Sequence, residues 1–209
     1  MQNPPAEPIR RGNRLRAGTI LMLIGLAVAM PAEAHNSATL AGGFLAGFSH
    51  PLSGPDHLLA MVAVGLWGSI LGRPLIVLLP VVFPTVMALG ALLAMAGAPL
   101  PPIELGIAIS VLALGLAIAL RFRAPMWLAS LIVAIFAIFH GYAHGNEIPS
   151  LADPIAYSTG FMLATGGLHL AGIGLGLLDH RRVGRTAIRS MGGGIALAGV
   201  YFLARAITE

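Results

Sequence analysis

Long apolar stretches, separated by short clusters of Pro, Gly and Arg, make up most of the chain from residue 38 onward. Most of them approach the roughly 20 apolar residues that a helix needs to cross a bilayer. They predict six membrane-spanning helices, over residues 38–71 (interrupted), 75–96, 103–120, 126–143, 154–178 and 190–207. The pattern therefore predicts an all-α, polytopic membrane helix bundle with short connections.

The first of these stretches is too long for one straight helix. As a helix, residues 38–71 would extend about 51 Å, against a hydrocarbon core of about 30 Å. Pro51, Gly54 and Pro55 predict a break in its middle. We expect three parts: a short helix or re-entrant piece over 38–48, a bend over 49–55 and a full helix from Asp56. Broken helices of this kind often hold the substrate site of a transporter.

The first 34 residues have the features of a cleavable secretory signal peptide. Four Arg between residues 10 and 16 precede an apolar run over 17–30, and Ala32-Glu33-Ala34 is typical of a cleavage site. Residues 35–209 are then predicted to form a single transmembrane helical domain. An uncleaved first helix is the alternative, although the apolar run is short for a span.

The Arg residues predict the orientation of the bundle. Arg73 lies in the first connection, Arg121 and Arg123 lie in the third, and four more Arg lie in the fifth, whereas the second and fourth connections contain none. By the positive-inside rule the odd-numbered connections are cytoplasmic. We therefore expect a multi-pass protein of the inner (plasma) membrane whose mature N-terminus is periplasmic.

Composition narrows the function classes. The 209 residues are 57% hydrophobic and 10% charged, which is too apolar for an ordinary soluble domain. Cys and Lys are both absent, which excludes disulfides, thiolate metal ligands and a Walker A phosphate loop. The net charge of +4 comes from Arg at the ends of apolar runs, so we expect a lipid bilayer as partner and no nucleic acid.

Metal-binding side chains occur together at the end of the fourth predicted span. His140, His144 and Glu147 are spaced i, i+4 and i+7, so a continuous helix places them within an arc of about 60°. Imidazole and carboxylate groups together coordinate divalent transition metals. Alternatively, Gly145 ends the helix and Glu147 lies on a turn, or the two imidazoles are hydrogen-bonded core groups and Glu147 is a solvated acid.

A second group of such side chains surrounds the predicted break. Here we expect His50, Asp56 and His57 to be metal ligands. For Asp56 the alternative is a capping box with Ser53 at the start of the next helix. Capping does not explain the two His residues beside the break.

The sequence allows two alternative roles for each of two further ionisable residues, Glu104 and His169. Glu104 opens the third span on the same predicted side as both His groups, where it either assists the metal site or complements the helix dipole. His169 lies well inside the fifth span and is either a deeper relay or a hydrogen-bonded core side chain. The predicted metal site thus comprises His50, Asp56, His57, His140, His144 and Glu147, with Glu104 in support.

These motifs resemble those of a known family. The segment His50-Pro51-Leu52-Ser53-Gly54-x-Asp56-His57-x-Leu59-Ala60-Met61 is similar to the first-span signature of the HupE/UreJ family of nickel permeases. Phe139-His140-Gly141-x-Ala143-His144-Gly145-x-Glu147 resembles the second signature, and Pro102-x-Glu104-x-x-Ile107-Ala108 resembles the segment with the intramembrane Glu. The resemblance implies uptake of nickel(II), or of cobalt(II) in some relatives, with hydrogenase or urease maturation proteins as partners.

We therefore expect a metal permease that has no prosthetic group and is not an enzyme. One alternative is an intramembrane hydrolase in which the same side chains hold zinc and a bound water attacks a lipid or an amide. Another is a metal-binding membrane scaffold that loads a partner enzyme.

Overall fold

The computed structural model describes residues 40–100, 102–147, 153–180 and 182–208, and nearly all of them are helical. The α-helices are α1 (Leu40–Ser53), α2 (Pro55–Leu71), α3 (Leu75–Met95), α4 (Ile103–Ala119), α5 (Met126–Glu147), α6 (Pro154–Gly176) and α7 (Arg182–Thr208). A 3-10 helix (Leu177–His180) follows α6. The described ranges contain no β-strand, so the predicted all-α class is confirmed. The predicted signal peptide lies outside the described residues.

Most of the described helices have the length and apolar character of membrane spans. By these criteria α3, α5, α6 and α7 could each cross a membrane, and α1 and α2 pass the same test as one bent pair. The remaining helix, α4, is apolar but has 17 residues, or about 26 Å. The chain is therefore a multi-pass membrane protein. Where six spans were predicted, its described residues contain four helices of spanning length, or five if the bent pair is one span, and the shorter α4.

The first predicted span is broken at a single residue. Helix α1 continues through Pro51 to Ser53, and only Gly54 separates it from α2, which begins at Pro55. The axes of the two helices are bent by 82°. The predicted bend over 49–55 is thus wrong in extent, because Pro51 removes one backbone hydrogen bond without ending α1. His50 consequently lies in the last turn of a helix.

Two other predicted boundaries differ from the structure. Helix α5 extends to Glu147, one turn beyond the predicted end at residue 143. Helix α7 begins at Arg182, eight residues before the predicted start. Both added segments interrupt the apolar pattern: residues 144–147 include His, Asn and Glu, and residues 182–189 include three Arg. Arg is nevertheless a good helix former, which favours the longer α7.

Polar contacts connect the loops at each end of the bundle. Arg121, between α4 and α5, forms a bidentate ion pair with Asp179 after α6, with Nη2 2.8 Å from Oδ2. The Trp67 indole donates to a backbone carbonyl of the α4–α5 connection at 3.0 Å. At the opposite end, the Tyr142 hydroxyl donates to the Ala98 carbonyl at 2.8 Å. Two of the Arg-containing connections therefore meet at one end, as the alternation of Arg predicted.

Glycines allow the helices to pack at backbone contact in three groups. A Cβ added at Gly141 of α5 would lie 1.9 Å from the Met87 carbonyl oxygen of α3. One added at Gly65 of α2 would lie 2.0 Å from a carbonyl oxygen of α6, and one at Gly115 of α4 would lie 2.3 Å from an amide of α7. None of these three distances could accommodate a real side chain. The closely packed sets are the α1–α2–α6 group, the α3–α5 group and the α4–α7 pair.

Candidate metal centre

Helix ends deliver the predicted ligands to one place. His50 lies in the last turn of α1, while Asp56 and His57 lie in the first turn of α2. His140, His144 and Glu147 occupy the last two turns of α5. Because α5 stays helical through Gly145, the alternative in which the helix ends before Glu147 is wrong.

Three of these side chains form what we call the outer triad: His50, His144 and Glu147. His50 Nε2 lies 3.0 Å from Glu147 Oε2, and His144 Nδ1 lies 3.7 Å from the same oxygen. One candidate ligand atom from each residue lies within 4.8 Å of the others. Two ligands of one ion, each bound at about 2.1 Å, are at most about 4.2 Å apart. Small side-chain movements would therefore let the outer triad hold a single ion.

Two further imidazoles, His57 and His140, form what we call the inner pair. His57 Nδ1 lies 2.9 Å from Asp56 Oδ1, and His140 Nδ1 lies 3.0 Å from the Phe136 carbonyl oxygen. Each oxygen can accept a hydrogen bond from Nδ1–H. This favours the neutral tautomer whose Nε2 lone pair is free to bind a metal. Both Nε2 atoms are buried and have no hydrogen-bond partner among the described residues.

His144 joins the outer triad to the inner pair. Its ring centroid is 4.9 Å from that of His50 and 4.5 Å from that of His57, and the His57 and His140 centroids are 4.8 Å apart. We call these four rings the imidazole row. Side-chain exposure is 54% at Glu147, 26% at His50, 7% at His144 and 12% at His57, and His140 is fully buried. The row thus leads from solvent into the helix bundle.

Asp56 belongs to the row through His57. Its Oδ1 accepts from both the ring Nδ1 and the backbone N–H of His57, at 2.9 and 2.8 Å. Ser53 does not form the alternative capping box, because its hydroxyl donates back to the His50 carbonyl at 2.7 Å and Gly54 is the N-cap of α2. Asp56 therefore fixes the orientation of His57.

Glu104 lies on a neighbouring cleft rather than among the imidazoles. This cleft, of about 220 Å³, is lined by Asp56 and Glu104 together with Arg205 of α7. Asp56 borders both the cleft and His57, so the cleft that Glu104 lines lies next to the imidazole row. The structure thus brings six of the seven predicted residues into one cluster and places the seventh beside it.

Aromatic side chains that the sequence motifs did not predict as part of the site pack against the row. Phe161 lies with its ring centroid 4.5 Å from that of His144, and Phe83 lies 5.4 Å from His140. Phe83 also meets His169 edge-on, at 5.5 Å. A single aromatic residue in an apolar helix resembles any other core residue. The only distinguishing signal was the pair of prolines, Pro80 and Pro84, that flank Phe83.

Comparison with known proteins gives one family. The family model described as HupE / UreJ protein matches residues 21–202. The chain is also similar to Protein HupE of Rhizobium leguminosarum bv. viciae, with 44% identity over 178 residues, which is 85% of this chain and 93% of that protein. No solved structure matches the chain.

Proposed function

Because the chain belongs to the HupE/UreJ family, we propose that it is a secondary permease that imports a divalent transition metal across the inner membrane. The cargo is nickel(II), with cobalt(II) as a second ion that the same ligands accommodate. The imported metal supplies the metallocentres of hydrogenase or urease. The protein is a transporter rather than an enzyme and needs no prosthetic group.

The imidazole row is the observation that carries this proposal. An ion that enters a bilayer must exchange its water for protein ligands, because a bare charge in hydrocarbon is strongly disfavoured. Next to Glu147, the row offers such ligands from the partly exposed His50 to the fully buried His140, with His144 and His57 between them at 7% and 12% exposure. A continuous sequence of ligands leading inward suits an ion that moves.

The donor chemistry supports nickel or cobalt. The cluster contains imidazole nitrogens and carboxylate oxygens, and the chain has no Cys that would favour softer ions. An inside-negative potential of 100 mV favours inward movement of a divalent cation by about 4.6 kcal/mol. Import therefore requires no nucleotide hydrolysis.

Nickel accumulation in cells tests the proposal. Cells without other nickel uptake, expressing the wild-type chain, should accumulate radioactive nickel above a vector control. His57→Ala and His144→Ala should reduce accumulation to the control level. Ser110→Ala is a matched control, because it removes a buried polar group of α4 that hydrogen-bonds only within its own helix, at 2.6 Å. Accumulation by both His variants at the wild-type rate would refute the proposal.

The same experiment separates the two alternatives. A zinc-dependent hydrolase or a membrane scaffold would bind metal without moving it, so nickel would stay bound to the isolated membranes and none would enter the cytosol. Fractionation of the cells after loading distinguishes bound metal from imported metal.

A further inference from the structure

His169 is a buried side chain that the imidazole row does not include. It lies on α6 and is 1% exposed. Neither of its ring nitrogens has a hydrogen-bond partner among the described residues. A buried polar group without a partner is destabilising, and it therefore requires an explanation.

Two oxygen atoms lie near this imidazole. Thr165 precedes His169 by four residues on α6, so both side chains share one helix face. The Thr165 hydroxyl is also buried and without a partner among the described residues. On α3, Pro84 has no N–H, so the Pro80 carbonyl lacks its helical donor. This carbonyl lies beside the His169 ring without forming a hydrogen bond of good geometry.

His169 lies deeper in the bundle than the imidazole row. Phe161 of α6 contacts His144, and His169 follows it by eight residues, or about 12 Å along the helix. Phe83 lies between the two levels, with its ring centroid 5.4 Å from His140 on one side and 5.5 Å from His169 on the other. An ion that passes Phe83 would therefore meet His169 next.

We propose that His169, Thr165 and the Pro80 carbonyl form an inner station that binds the divalent cation after it leaves the imidazole row. The inference rests on the proposed function, because an inner station has a role only if the ion moves. One imidazole and two neutral oxygens make a weaker ligand set than the imidazole row. Weak binding suits this position, since a conducted ion must also be released.

Two substitutions at His169 separate ligation from packing. His169→Leu fills the space with an apolar side chain but provides no ligand. His169→Cys leaves a smaller side chain but provides a thiol, which loses its proton when it binds these metals. The wild-type chain has no Cys, so this variant carries a single thiol. Initial rates of radioactive nickel uptake are measured over a range of concentrations in cells, with membrane abundance determined by immunoblot.

We expect the maximal uptake rate of His169→Leu to fall at least about tenfold. Its half-saturating nickel concentration should stay close to that of the wild type, because the imidazole row still captures the ion. His169→Cys should be clearly faster than His169→Leu. A structural role would produce the opposite order, since Leu would restore packing and Cys would leave a cavity.

Thr165→Val provides a second variant that preserves side-chain shape. It should lower the maximal rate, whereas Ser110→Ala, which removes an equally buried hydroxyl, should not. If His169→Leu fails to reach the membrane, the Thr165→Val and His169→Cys rates decide the question. Thr165→Val uptake at the wild-type rate would then overturn the inner station.

The failures of the two proposals are distinguishable. Wild-type cells that accumulate no nickel would refute the permease, and the inner station with it. Wild-type accumulation together with equal maximal rates for the wild type and His169→Leu would overturn the inner station alone. A rise in the half-saturating concentration of His169→Leu at an unchanged maximal rate would also overturn it, because His169 would then act in capture.

Discussion

Replacing Asp56 by Asn tests how this carboxylate contributes to metal binding. In the structure Asp56 Oδ1 accepts two hydrogen bonds from His57, one from the ring and one from the backbone. An Asn side-chain oxygen can accept both, so the geometry is retained and only the negative charge is lost. Replacement by Ala removes the charge and both hydrogen bonds.

The expected magnitude follows from these contacts. A hydrogen bond to a charged group contributes about 1.5–3 kcal/mol, and a neutral one contributes about 1 kcal/mol. The Asp56 side chain is 22% exposed, so solvent screens part of its charge. We therefore expect Asp56→Asn to weaken nickel binding about tenfold and Asp56→Ala about 100-fold, within the usual range for groups that orient a metal ligand.

Isothermal titration of nickel into the purified protein in detergent measures these affinities. Asp153→Asn is the matched control, because Asp153 caps α6 through the Ile155 and Ala156 amides and an Asn side chain can do the same. Wild-type affinity in both Asp56 variants would refute a role for Asp56 at the metal site. An Asn variant as weak as the Ala variant would show that the carboxylate binds the ion directly.

Three other predictions concern packing, protons and metal occupancy. Gly141→Ala should lower both the melting temperature and nickel uptake, because its Cβ would lie 1.9 Å from the Met87 carbonyl oxygen. The control Gly166→Ala lies at an open position and should leave both quantities near wild type. Uptake should fall from about pH 7.5 to about pH 5, because protons compete with metal for imidazole; unchanged uptake at low pH would argue against capture by imidazole. Nickel at 100 times its dissociation constant should stabilise the protein by about 2.7 kcal/mol and raise its melting temperature, and His144→Ala should lose this shift.

The sequence predicts the helices well because apolar character is a property of each segment alone. The predicted spans over 75–96 and 103–120 differ from α3 and α4 by one residue at their ends. The errors fall at Pro51, at Arg182 and at the end of α5, where a helix continues through residues that interrupt the apolar pattern. Local composition does not determine whether such a residue ends a helix, because that depends on the packing of its neighbours.

The site was predictable where spacing and topology determine it. Helical periodicity placed His140, His144 and Glu147 on one face, and the predicted topology brought the break in the first span to the same end. The direction in which a side chain points was harder to predict from the sequence. The sequence allowed Ser53 to cap α2, whereas in the structure its hydroxyl donates back to the His50 carbonyl of α1. The prolines that flank Phe83 do not reveal its role, because its contacts depend on the packing of α3 against α5 and α6.

The imidazole row also crosses the boundary between two closely packed sets of helices. His50 and His57 belong to the α1–α2–α6 group, whereas His140 and His144 belong to the α3–α5 group. The glycine contacts described above fasten helices within each group, and side chains such as Phe161 against His144 meet across the boundary. A bound ion with ligands from both groups would act as a reversible crosslink between them. A bound ion would then hold these two groups together while it is present and free them to separate when it leaves.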